Sequence, residues 1–229
     1  KRDLAEVFKL MSVLPVTVRL LDPPLHEFLP RTEKEINEVA NVVGLPVKEL
    51  ESRIEELHEQ NPMLGHRGCR LGISFPEIYE MQCRAIFEAL AELKNKKIKS
   101  AFPEIMIPLV STEAEIRIMK NLVINVAREV QKNNKVKIEF MVGTMIELPR
   151  AAIKAKEIAK HAEFFSFGTN DLTQTTFGIS RDDSGKFLND YLDNKIFSID
   201  PFVSIDDGVA ELVEIAVKKG KSQNKKLKL

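Results

Sequence analysis

Two cysteines stand in 229 residues, Cys69 and Cys83, and they form neither a metal-binding spacing nor a disulfide framework. That scarcity points to a reducing, cytoplasmic setting. Long apolar runs are missing too: nothing approaches the roughly 18–20 residues of a spanning helix. No signal peptide opens the chain, so the sequence offers no membrane partner. Charge of one sign is not in excess, with 34 Lys and Arg against 34 Asp and Glu. A neutral total gives no overall attraction to nucleic acid, and any anion-binding site must be local. No GxGxxG follows a strand-like segment, no GxxxxGK[ST] is present, and no GxSxG. Nucleotide phosphates and a serine nucleophile therefore have no motif to work with here. A starting Met is absent as well, and KRDLAEVFKLMS reads as a helix already under way, as in a piece excised from a longer chain.

What is present is alternation. VTVRLLD (16–22) is short and β-branched like a strand, and PPLHEFLPRT then breaks structure with three prolines. Residues 32–61 read as two helices around Gly44-Leu45-Pro46, with Leu50, Ile54, Leu57 and His58 at helical spacing. NPMLGHRGCRLG reads as a loop or short strand, FPEIYEMQCRAIFEALAELKNKK as a long amphipathic helix, and EIMIPLV as a strand. STEAEIRIMKNLVINVAREVQKNN predicts a helix capped by Ser111 or Thr112. KVKIEFMVGTMIE predicts a strand, PRAAIKAKEIAKHA a helix and EFFSF a strand. After Asp171 the expectation is loops, then a helix over DDGVAELVEIAVKKGKSQNK, with LKL starting one more strand. Counting the GHRG segment as a strand gives about five β/α units in one domain, 1–229, with a helical insertion at about 32–61. The fold class is α/β with a parallel sheet. A (β/α)8 barrel places its site on the loops after the strands, and an open doubly wound sheet is the runner-up.

The polar residues cluster where such a site would be. Arg19, Asp22, Arg67, Glu147, Asn170 and Asp171 stand at strand ends, and Arg181 follows in a loop. Each has an ordinary alternative. Arg19 and Asp22 can pair with each other, Glu147 can serve the start of the next helix through its dipole, and Asn170 and Asp171 can cap turns. As a set they suit different chemistry. Two carboxylates suit Mg²⁺, which takes one or two from protein and fills its shell with substrate oxygens and water. Guanidinium groups suit phosphate or carboxylate through their planar fork. Among the histidines only His66, beside Arg67, falls near this set, and nothing in the sequence makes it a nucleophile.

LPVTVRLLDPPLHEFLP, NPMLGHRGCRLGISFPEIYEMQ, PEIMIPLV, GTMIELPRAA, FFSFGTNDLTQTTFG and SRDD together resemble the phosphoenolpyruvate-utilising enzymes, over essentially the whole chain. DPPLHEFLP and GHRGCRLG favour the branch that joins pyruvate, ATP and phosphate, over relatives such as phosphoenolpyruvate synthase. The resemblance implies the C-terminal phosphoenolpyruvate/pyruvate-binding (β/α)8 barrel, here partial and lacking its first and last strands. It implies that Arg19, Arg67 and Arg181 bind substrate phosphate, that Gly168, Thr169 and Asn170 contact substrate, and that Glu147 and Asp171 bind both substrate and Mg²⁺. It implies no catalytic acid within these residues, because the family's acid is a cysteine in a CGICGEHGGD segment that would lie beyond residue 229; Cys69 and Cys83 match other positions.

The activity so implied interconverts ATP, pyruvate and phosphate with AMP, phosphoenolpyruvate and diphosphate, through a phosphohistidine on another domain. The implied partners are that domain, a nucleotide-binding domain and a second copy in a homodimer. The alternative is a truncated or split-gene piece that binds a ligand or partner without turnover. In either case the first and fifth strands should present unpaired edges.

Overall fold

The computed structural model describes residues 1–58 and 61–229. Four parallel strands carry the fold: β1 (Pro15–Arg19), β2 (Phe102–Ile107), β3 (Met141–Ile146) and β4 (Phe165–Phe167), paired in the order β1-β2-β3-β4. The sheet is curled, as in part of a barrel. Its outer face meets the helices Pro76–Asn95, Glu113–Asn134 and Asp207–Gln223. In the first of these, Tyr79, Cys83, Ile86, Phe87, Leu90 and Leu93 are buried at helical spacing. The second opens with a capping box between Thr112 and Glu115, which resolves the choice between Ser111 and Thr112. It buries Ile116, Met119, Val123, Ala127 and Val130.

The bore of the curl is polar. Glu104 on β2 is buried; its carboxylate accepts from Thr17 Oγ1 on β1 at 2.8 Å and from Lys228 Nζ at 2.5 Å. A buried carboxylate needs such partners, since its desolvation is otherwise costly. Lys228 also bridges to Phe164 in parallel fashion, and Phe165 N–H donates to Lys228 O at 2.9 Å. The terminal LKL therefore does begin to pair beside β4. At the other side β1 is an edge, as the strand order requires.

Three expectations change. The GHRG segment is not a strand: Arg67 is the extended residue capping the helix Gly68–Ser74, and the strand count falls to four. A short glycine-rich segment carries too little periodicity to separate the two. The stretch after Asp171 is not loop, because Thr169–Phe177 is helical and carries Asp171 in its first turn. Further short helices, Arg181–Ser184 and Leu188–Asp193, occupy the region expected to be loop. The helix expected over 149–162 is divided into Pro149–Ile153 and Ala155–Ile158. Residues 33–43 and 47–56 form the two helices around Gly44; residues 59–60 of that expected insertion lie outside the described residues.

The sheet has one tight approach that a substitution would expose. A Cβ placed on Gly143 in β3 would sit 2.4 Å from Phe164 O, a backbone atom that cannot swing aside. Gly143→Ala should therefore force β3 from β4, at about 1–3 kcal/mol, read as a lower urea midpoint. An unchanged midpoint would show that this approach is not tight.

Candidate functional site

The four strands deliver their chemistry at one end. β1 ends in Arg19, with Asp22 three residues on; Leu109 follows β2; Glu147 follows β3; Gly168 to Asp171 follow β4. The backbone leaving β1 is held by the helix behind it. Tyr79 OH donates to Leu21 O at 2.7 Å, Leu21 N–H donates to Gln82 Oε1 at 2.8 Å, and Gln82 Nε2 donates to Arg19 O at 3.2 Å. At β2, the Thr144 hydroxyl donates to Ile107 O at 2.7 Å.

From these ends the charged groups join into one chain. Arg19 Nη1 lies 3.5 Å from Asp22 Oδ2. Asp22, 5% exposed, pairs through the same oxygen with Arg67 Nη2. Arg67 also donates to Met63 O at 3.3 Å, and its Nη2 lies 3.6 Å from Asp171 Oδ2. Asn170 Nδ2 donates to Asp171 Oδ1 at 3.1 Å, and Arg181 Nη1 donates to Asn170 Oδ1 at 2.8 Å. The Arg181 guanidinium stands 5.8 Å from the Phe202 ring centroid, and Thr169 lines the same small hollow. Arg19, Arg67, Asn170, Asp171 and Arg181 are thus linked side chain to side chain.

Glu147 completes the group. It is 1% exposed, and Leu109 N–H donates to its Oε1 at 2.6 Å. Burial pushes its carboxyl up to about 7; the Leu109 N–H opposes this, while the charges of Asp22 and Asp171 add to it and Arg67 opposes it. Gly168 is packed against it: a Cβ there would lie 2.8 Å from Glu147 Cβ and 3.1 Å from its Oε2. Two carboxylates, Asp22 and Asp171, therefore flank the partly buried Arg67 guanidinium, and Glu147 lies near enough to feel all three charges. Such crowding favours an added positive charge.

An open cavity of about 920 Å³ meets this group at Arg67 and Asp171, with Pro23, Met63 and Gln174 also in its wall. Arg19 faces a second hollow, the bore near Thr17 and Glu104. His66 Nε2 lies 2.9 Å from Ser74 Oγ, and its ring is tilted against Phe75. Cys69 and Cys83 are both buried with their thiols pushed up by burial, Cys83 to about 12, so neither is poised to exchange a proton. Three residues that sequence reasoning did not place in the site, Gln82, Tyr79 and Leu109, hold it through backbone contacts. No sequence signal marks a backbone donor, and Gln82 and Tyr79 look like ordinary helix residues.

The family described as PEP-utilising enzyme, PEP-binding domain matches the chain over residues 1–227. A pyruvate, phosphate dikinase of Rhizobium meliloti is 56% identical over the whole chain, which corresponds to 26% of that relative. The pyruvate, phosphate dikinases of Rickettsia prowazekii and Clostridium symbiosum are 54% and 52% identical over 99% and 100% of the chain, again 26% of each relative. The chain spans about a quarter of the length of the curated relatives it matches.

Proposed function

The chain belongs to the phosphoenolpyruvate-utilising enzymes, as their phosphoenolpyruvate-binding domain, and from that premise we propose that it is the pyruvate and phosphoenolpyruvate site of a pyruvate, phosphate dikinase. The observation that carries the reading is the linked series Arg19, Asp22, Arg67, Asp171, Asn170 and Arg181, with Glu147 beside it: Arg19, Asp22, Glu147, Asn170 and Asp171 stand at or just beyond the C-terminal ends of parallel strands, and two short helices bring Arg67 and Arg181 to them. The ends of several strands are where a barrel of this kind assembles catalytic groups. The partners proposed are a phosphohistidine domain and a nucleotide-binding domain of the same enzyme, and a second copy in a homodimer. The proposed setting is cytoplasmic. Among the described residues no helix is long and apolar enough to cross a membrane.

The residues fit Mg²⁺. Glu147 and Asp171 supply hard oxygen donors, and Glu147 is buried with the charges of Asp22 and Asp171 close by, a setting in which its ionised form gains from an added cation. Among the described residues no cluster of three His, Cys, Asp or Glu is placed to hold a metal. Mg²⁺ does not need one, since it keeps waters and substrate oxygens in its shell. When bound there, the ion would supply Lewis-acid polarisation of a carbonyl oxygen.

The remaining work belongs to the chain's own side chains. In the phosphoenolpyruvate-forming direction the P–N bond of the phosphohistidine breaks and a P–O bond forms at the enol oxygen of pyruvate. Arg67, Arg19 and Arg181 would receive the oxygens of the moving phosphoryl group and of the substrate carboxylate. Arg67 is fixed before the substrate arrives, by Asp22 and by Met63 O. Its charge therefore costs little reorganisation when it is used. The Asn170 amide, held between Asp171 and Arg181, would orient the substrate. The methyl proton of pyruvate must leave to a group other than Cys69 or Cys83, whose thiols are buried and raised.

Calorimetric titration with oxalate, which has the shape and charge of the pyruvate enolate, tests this site directly. Oxalate should bind saturably in the presence of Mg²⁺ or Mn²⁺ and far more weakly without it. Absence of oxalate binding with either ion would sink the reading.

A further inference from the structure

We propose that Leu109 is a positioning residue: held in a left-handed backbone conformation, it fixes one oxygen of Glu147 with its N–H and so leaves the other oxygen to face a divalent cation. The inference rests on the proposed role of Glu147 as a cation ligand. It is carried by four observations. First, Leu109 has φ +59°. Few residues other than glycine enter this region, and a branched apolar side chain has no local hydrogen bond to favour it. Among the described residues the other non-glycine residues with positive φ are Val13, Lys97, Lys135 and Lys195, all exposed, whereas Leu109 is 1% exposed. A strained conformation persists in the interior only when its surroundings over-determine it.

Second, the surroundings do so. Pro108 restricts the backbone immediately before it. Cys69 holds both flanking carbonyls, with its N–H donating to Pro108 O at 3.2 Å and its thiol to Leu109 O at 3.3 Å. The Leu109 side chain fills the space left by the missing Cβ of Gly68, where an added carbon would sit 2.7 Å from Leu109 Cβ. Gly68 itself has φ +58° and donates its N–H to Asp22 O at 2.9 Å. The same clamp therefore touches the Asp22–Arg67 pair on one side and Glu147 on the other.

Third, the strained residue's N–H is spent on Glu147: the donor lies 2.6 Å from Oε1. Fourth, Oε2 borders Gly168, at the head of the segment bearing Asp171: a Cβ on that glycine would sit 3.1 Å from it. One oxygen is tied down by the Leu109 N–H, and its twin lies on the side of that segment. Groups that orient a metal ligand in this manner change metal affinity without touching the metal.

Packing alone would give the opposite ranking of variants. Replacing the Leu109 amide by an ester, through incorporation of the α-hydroxy analogue of leucine, removes only the N–H. Mn²⁺ binding, counted by loss of the free-ion paramagnetic resonance signal, should weaken by about tenfold to a hundredfold. The circular dichroism spectrum should be unchanged. Leu109→Gly keeps the N–H and accepts φ +59°, so it should keep Mn²⁺ affinity within about threefold. Leu109→Val keeps apolar bulk but resists that backbone, so it should bind more weakly than Leu109→Gly. An ester variant with the parent's Mn²⁺ affinity would overturn the proposal, as would Leu109→Val binding better than Leu109→Gly. Glu147→Gln separates the two levels. If Glu147→Gln lowers affinity and the ester does not, Leu109 loses its role while the cation site stands. If neither lowers it, the cation reading fails and takes Leu109 with it.

Discussion

Glu147→Gln should make the metal-free protein more stable at pH 8 and nearly blind to Mg²⁺. The two effects come from one carboxylate. Glu147 is buried, and its carboxyl is raised to about 7 by that burial and by Asp22 and Asp171. A carboxyl raised above its unfolded value contributes stability that is full below the ordinary carboxylate range. That stability is lost as pH climbs through about 7. The parent should therefore lose stability between about pH 4.5 and pH 7, and Glu147→Gln should not. The gain at pH 8 should be on the order of 2 kcal/mol. Glutamine still offers an acceptor to the Leu109 N–H, so the local geometry survives. Cation binding loses one of two charged donors and should fall by at least about a hundredfold. In a complete enzyme of the proposed kind, phosphoenolpyruvate formation should be lost while the nucleotide half-reaction continues. Urea denaturation at pH 5 and pH 8, with Mn²⁺ titration of the same samples, checks both parts. A variant less stable than the parent at both pH values, with Mn²⁺ binding intact, would make Glu147 an ordinary structural residue.

Arg67→Met has the opposite signature, losing stability and ligand together. The Asp22 carboxylate is 5% exposed, and its Oδ1 is buried without a hydrogen-bond partner. Its Oδ2 depends on Arg67, with Arg19 half exposed at 3.5 Å. Removing Arg67 strands that charge, which should cost about 3–5 kcal/mol. Arg67→Lys should be damaging too. One ammonium cannot meet Asp22, Met63 O and Asp171 from the fork positions that the guanidinium occupies. Adding Asp22→Asn to Arg67→Met should return part of the stability and none of the lost oxalate affinity, because the stranded charge is gone but the Arg67 fork is not restored. A single Arg67→Met variant within about 1 kcal/mol of the parent would show that Asp22 is solvated in practice and the pair is weak.

These two residues show where the sequence could be read and where it could not. The long helices were legible because their apolar positions repeat at helical spacing over many turns, as in Pro76–Asn95 and Glu113–Asn134. The ends of β1, β3 and β4 were legible because a short β-branched or apolar stretch passes abruptly into Arg19, Glu147 and Asn170-Asp171. That contrast places polar groups at one face of a parallel sheet. Residue type alone then limited the chemistry to hard cations and anions. The family resemblance rested on the same local strings.

Tertiary structure decided everything that depends on residues distant in the chain. The GHRG segment could be strand or loop until Gly68 met Leu109 and Asp22, 41 and 46 residues away. Asp171 could cap a turn until Thr169–Phe177 formed a helix that sets its carboxylate 3.6 Å from Arg67. Asp22 had Arg19 as its sequence neighbour, yet its close partner is Arg67, 45 residues on. Glu147 took its raised carboxyl from burial, and its hydrogen bond from a backbone N–H at Leu109. Periodicity and residue type are properties of short stretches, so they survive in the linear string. Burial and backbone donors exist only once the strands lie side by side.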